Sequence, residues 1–133
     1  MNRSVAREFL FRFVYHLRIQ DLNLCEWRSH TNDFQESNEL SIKSDQLDDV
    51  ESLLSYLSEN ENSLTAEVDE KSTRRKFESL DPMVQNALLV SLSEKAVFDT
   101  PRNVIINESV ELVKKYSDDK NAKVVNGILD TIL

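Results

Sequence analysis

One glycine, Gly127, and two prolines, Pro82 and Pro101, are all that 133 residues offer for tight turns. β-Sandwiches and barrels reverse direction every few residues and draw heavily on both residue types, so this scarcity points to helices. It also argues against a dinucleotide fold or P-loop, whose phosphate cradles are built from closely spaced glycines. The length suits one domain, spanning 1–133, with a modest single core. Hydrophobic residues at 40% and charged residues at 30% are an ordinary soluble balance, so composition alone does not suggest disorder.

A single cysteine, Cys25, has no internal partner. With no apolar run of signal-peptide or membrane-spanning length, the expectation is a cytoplasmic protein without membrane contact. His16 and His30 have no metal-ligand spacing with Cys25 or with each other, so no metal or cofactor is expected. The net charge of -8 is unevenly spread. Residues 1–20 carry Arg3, Arg7, Arg12 and Arg18 against Glu8, whereas residues 21–70 hold fourteen acids against Arg28 and Lys43. The acidity therefore belongs to one middle segment. A basic surface at either end stays compatible with the total, because local potential governs association.

The periodicity predicts a first helix from Ser4, as N-cap, to about Ile19. Val5, Ala6, Phe9, Leu10, Phe13, Val14 and Leu17 fill one arc as core. Arg7, Phe11, Tyr15 and Arg18 fall on the opposite side, where a merely solvated face would carry Lys, Glu and Gln. Phe11 is expected to pack under the following segment, and His16 to be structural. Residues 20–44 look irregular, with Leu22, Leu24, Trp27, Phe34 and Ile42 as anchors. From Asp45 to about Glu70, apolar residues step by three and four, as one long helix or as two joined near Asn60–Asn62. A short helix is expected around Thr73–Ser79. Asp81-Pro82 and Thr100-Pro101 are helix starts, an N-capping residue followed by proline at the first turn. Asp118 or Asp119 caps a last helix. Gly127 lies inside that helix, at a cost of about 1 kcal/mol against alanine, and the expected return is close approach of another backbone. The fold class expected is all-α.

From Leu80 onward the chain resembles the NusB family of bacterial transcription antitermination factors. The residues that carry the resemblance are DTP at Asp99–Pro101, VIINESVELVKKY at Val104–Tyr116 and VNGILD at Val125–Asp130. Upstream, AREFLFRFVYHL at Ala6–Leu17 is similar to the family's opening helix. The resemblance implies a single compact domain of two packed helical bundles. It implies binding of boxA-type single-stranded RNA from ribosomal RNA transcripts, together with the ribosomal protein NusE, in an RNA polymerase antitermination complex. Arg3 and Arg7 fall in the family's arginine-rich RNA-contacting region, and Tyr15 falls on its helix-one tyrosine. Arginines on phosphate and aromatics on unpaired bases hold single strands, which agrees with the Arg7/Phe11/Tyr15/Arg18 face. Lys120 and Lys123 extend that surface. The helix Asp81–Ala96 falls in the region that meets NusE, with Val84, Leu88, Ser93 and Glu94 as candidates. Asn107 with Glu108 and Asn126 with Gly127 read as architectural, orienting helices and packing them closely. Ser4 and Val5 interrupt the arginine cluster, and Val124 stands where family members often have an aromatic.

No catalytic motif accompanies these features. Some ribosomal RNA methyltransferases carry a NusB-like domain ahead of a catalytic one, and no such domain follows here, so a non-catalytic factor is expected. The alternative is a divergent NusB-like interaction module with weak or lost RNA binding. The oligomeric state is left between monomer and weak homodimer. On the first reading, Arg7→Ala and Tyr15→Ala each weaken RNA binding while costing no more than a few degrees of melting temperature.

Overall fold

A computed structural model describes residues 3–38, 42–72 and 75–133. Among these residues there are six α-helices, two 3₁₀ segments and no strand. They are α1 (Ser4–Ile19), a 3₁₀ segment (Leu24–His30), α2 (Thr31–Ser37), α3 (Ser44–Lys71), a 3₁₀ turn (Phe77–Ser79), α4 (Pro82–Phe98), α5 (Arg102–Tyr116) and α6 (Asp119–Ile132). The first three helices form one bundle and the last three another. Helix α4 joins them, packing against α1, α3, α5 and α6.

Local signals set most boundaries. The Asp81 carboxylate accepts from the Met83 N–H at 2.8 Å, with Pro82 at the first helical position. Asp118 accepts from the Asn121 N–H at 2.7 Å and starts α6. At α1 the N-cap position is Arg3, one residue before the expected Ser4. At α5 it is Pro101, and the Thr100 hydroxyl is buried without a hydrogen-bond partner among the described residues. Helix α3 is one continuous element.

Three expectations change. The described part of residues 20–44 is largely helical rather than irregular, and residues 39–41 lie outside the described residues. Leu24, Trp27 and Phe34 recur at helical spacing and are buried, and Asn23 caps the first turn by accepting from the Cys25 N–H. Of the helix expected near Thr73–Ser79, only the turn Phe77–Ser79 is present, and residues 73 and 74 lie outside the described residues. Gly127 is exposed, with no atom within 4 Å of the position a Cβ would take, so the close packing expected of Asn126 and Gly127 is absent.

The core arc of α1 also differs. Val5 is 49% exposed, whereas Phe11 is 2% exposed. Phe11 packs on Tyr116 of α5, ring centroids 5.9 Å apart, rather than under residues 20–44. The reason is that α1 meets α3, α4 and α5, so apolar neighbours cover more than one of its sides.

Candidate functional site

Burial redistributes the residues singled out by sequence. Arg7 points inward from α1 and is 7% exposed. Its Nε and Nη2 each donate to the Glu94 carboxylate at 2.7 Å, a bidentate pair across α1 and α4. Its Nη1 lies 3.7 Å from Glu108 of α5. The hydrogen bonds that Arg7 donates to Glu94 raise the guanidinium pKa against the opposing effect of burial, and the charges of Glu94 and Glu108 add to them. One buried cation thus ties three helices. The expected surface contact at Arg7 gives way to an internal ion pair, because both acids that neutralise it come from distant parts of the chain. Glu108 keeps its architectural role through this pair, while Asn107 is exposed.

Arg3 is also engaged. Its guanidinium sits 4.1 Å from the Phe98 ring centroid and its Nε lies 3.8 Å from Asp49. A second polar tie joins α1 to α5. The Lys115 Nζ donates to Glu8 at 2.6 Å, and the Tyr116 hydroxyl donates to the same carboxylate. Desolvation pushes the Glu8 pKa up, but the bonds from Lys115 and Tyr116 together outweigh it and hold the carboxyl below its ordinary value. Lys115 thus pairs across helices with Glu8, while Glu111 lies 4.0 Å from its helical neighbour Lys114.

The candidate partner residues on α4 are internal. Val84 is 1%, Leu88 0%, Ser93 0% and Glu94 2% exposed. Ser93 donates back to the Leu89 carbonyl, and Glu94 is taken by Arg7. These four are corrected from a docking face to core, because a helix covered by four others keeps no broad face for a partner. The sequence carried a signal: no charged residue occurs between Pro82 and Ser93.

Three of the open depressions involve residues singled out by sequence. The first, of about 390 Å³, is lined by Tyr15 and Arg18 of α1, Asp21, Asn23, Glu61 of α3 and Gln85 of α4, among others. Arg18 donates to Gln85 at 2.9 Å, lies 3.9 Å from Glu61 and covers the Phe77 ring. Desolvation lowers its pKa, and Glu61 partly opposes this. With one arginine against two carboxylates, this cleft is net acidic. The second, of about 450 Å³, lies across Tyr15 and is lined by Arg12, His16, Phe34, Asn38 and Tyr116 among others. The third, of about 480 Å³, runs along α6 past Lys123, Val124, Gly127, Ile128 and Thr131, with Ser72 and Arg75 opposite. Among the described residues it has two cations and no acid. Lys120 is exposed one turn before Lys123 on the same helix.

A sequence model of the NusB family matches residues 4–133. The chain belongs to this family. Its relatives include a transcription antitermination protein NusB from Clostridium perfringens, 31% identical over 133 residues, covering 99% of this chain and 96% of that one. Another, from Clostridium botulinum, is 29% identical over 143 residues and covers 100% of both. The fold is similar to that in a crystal structure of antitermination factors NusB and NusE in complex with dsRNA, with a TM-score of 0.82, 22% identity and coverage of 98% of this chain and 94% of that one. It is also similar to a solution structure of NusB from Aquifex aeolicus, with a TM-score of 0.81, 22% identity and coverage of 99% and 88%.

Within this NusB-family fold, several groups escaped the sequence reading. Arg12 lines the second depression beside Tyr116 and reaches Asn38 at 3.4 Å. Asp21, Glu61 and Gln85 come together around Arg18 from three separate segments. Arg75 faces α6 from the α3–α4 connection. Only Arg12 had a signal in the sequence, as the third of four arginines in the basic N-terminal stretch. The others meet only through tertiary packing.

Proposed function

We propose that this chain is a non-catalytic antitermination factor that binds boxA-type single-stranded RNA of ribosomal RNA transcripts along α6 and takes NusE at the α1–α4 cleft. The observation that carries the reading is the acid-free groove with Lys123 and Arg75, on a protein whose total charge is -8. Phosphate binding is dominated by local cations, and a polyanion at the first depression would meet Asp21 and Glu61. Lys120 and Lys123 thus keep the RNA-facing role expected of them.

Tyr15 and Arg18 move to the partner side. Their cleft is net acidic and borders the acidic helix α3, which suits a basic ribosomal protein better than a polyanion. Gln85 and Arg18 supply neutral and cationic donors there, and Tyr15 supplies an amphipathic ring of the kind that anchors protein interfaces. Arg3 and Arg7 support both surfaces indirectly by fixing α1 against α3, α4 and α5.

The test is fluorescence anisotropy of a labelled boxA-type RNA, with and without NusE, at two salt concentrations. Lys123→Ala is expected to weaken RNA binding and to shallow its salt dependence, leaving NusE capture intact. Arg18→Ala is expected to do the reverse. RNA binding that is lost in Arg18→Ala and kept in Lys123→Ala would exchange the two surfaces. NusE capture with no RNA binding in any mixture would favour the interaction-module reading instead.

A further inference from the structure

Gly127 sits in the third turn of α6, and nothing inside the protein accounts for it. Glycine in a helix interior is less stable than alanine because it loses more backbone freedom on folding. The usual returns are a left-handed backbone, a helix end or the close approach of a neighbouring element. Here φ is not positive, α6 continues to Ile132, and a Cβ would find no atom within 4 Å. What lies over Gly127 is open groove.

The groove has a definite chemistry. Lys123, one turn earlier on α6, is exposed, and Arg75 faces it from the α3–α4 connection. Among the described residues the Arg75 guanidinium donates only to the Ser79 carbonyl, at 3.3 Å, which leaves further donors for a ligand. Among the described residues, no carboxylate and no aromatic ring lines the groove. Bases stack on rings, so this surface has no platform for them. Cations beside a bare stretch of helix suit a sugar–phosphate instead.

We infer that the backbone of a bound RNA strand crosses α6 directly over Gly127, with a phosphate held between Lys123 and Arg75. The absent side chain is then a clearance for the ribose and phosphate, and the groove reads backbone rather than base. This rests on the RNA-binding reading of α6 given above and deepens it. A second protein helix is the less suitable occupant, because two cations without an acid select for an anion.

The experiment pairs two readouts on Gly127→Ala. Filling open space with a methyl group in a helix is expected to raise the melting temperature by roughly 3–5 °C. Affinity for a fluorescein-labelled single-stranded boxA-type RNA, measured in the presence of NusE, is expected to fall about tenfold, because the added methyl group holds the phosphate off its cations at the expense of one charge-assisted hydrogen bond. Lys123→Ala, expected to reduce the slope of log affinity against log salt by roughly 0.7, checks that the groove is the one occupied. A glycine needed only for folding would lower the melting temperature in Gly127→Ala. Parent protein that binds RNA, with Gly127→Ala binding equally well, would overturn the inference and leave the RNA reading standing. Parent protein without salt-sensitive RNA binding would remove that reading, and the inference with it. Unchanged RNA affinity with lost NusE capture would assign the groove to the protein partner and also overturn the inference.

Discussion

Replacing Arg7 by alanine tests the internal ion pair most directly. Arg7 is 7% and Glu94 2% exposed, and two bonds of 2.7 Å join them. Removing the guanidinium strands a buried carboxylate that, among the described residues, has no other cation within ion-pair distance. It also leaves Glu108 without its counter-charge. Breaking a buried pair on one side costs about 3–5 kcal/mol. Against a total stability of about 5–15 kcal/mol for a domain, that is a large share. At roughly 3–5 °C per kcal/mol for a chain of this size, the melting temperature should drop by about 10–20 °C. Circular dichroism melts at pH 7, supported by urea unfolding, measure it. The double variant Arg7→Met with Glu94→Leu removes both charges while keeping volume, and should recover most of the loss. RNA affinity of Arg7→Ala, taken well below its own melting temperature, should match the parent. A single variant melting within a few degrees of the parent would refute the reasoning. So would a double variant no more stable than the single one.

Two further perturbations probe the ties around α1. Glu8 has a folded pKa below its ordinary value, near 4.3 for an unperturbed glutamate. Its contribution is therefore fully present above that range and is lost as pH falls through the lower folded value. Glu8→Gln should flatten the acid limb of the melting-temperature profile between pH 5 and 3 to an extent that Glu111→Gln, an exposed control, does not. Asp21 holds φ 54° where the chain leaves α1, with the Leu22 N–H bonded to the Leu17 carbonyl at 2.8 Å, a position that favours glycine. Urea unfolding should rank Asp21→Gly at or above the parent and Asp21→Val about 1–2 kcal/mol below it. On the partner reading, Asp21→Gly also weakens NusE capture without destabilising the fold.

Much of the site was hidden because its members meet through packing. Val84, Leu88, Ser93 and Glu94 read as one helix's partner face until α4 is seen to have neighbours on nearly every side. Arg7 read as solvent-facing because an arginine's default is the surface, and its partner Glu94 stands 87 residues away. Lys120 and Lys123 were legible, since a helix start with two lysines and an acidic cap is a local pattern. Arg75 was not, because only the fold brings the α3–α4 connection to α6.

The sequence alone determined the first helix and the four long helical runs from residue 44 onward, though not the helices between residues 20 and 38. The scarcity of glycine and proline imposed helices, the Asp81 and Asp118 caps set two of their starts, and the motifs from Asp99 to Asp130 pointed to the NusB family. These are local quantities, decided by a residue and its neighbours within a turn or two. Tertiary structure alone decided which faces stay open. Whether Arg7 ends in an ion pair or on a surface depends on Glu94 and Glu108, and whether Gly127 is packed or bare depends on what approaches α6. Burial of a charge or exposure of a backbone is a property of two segments at once, and no stretch of one of them encodes it.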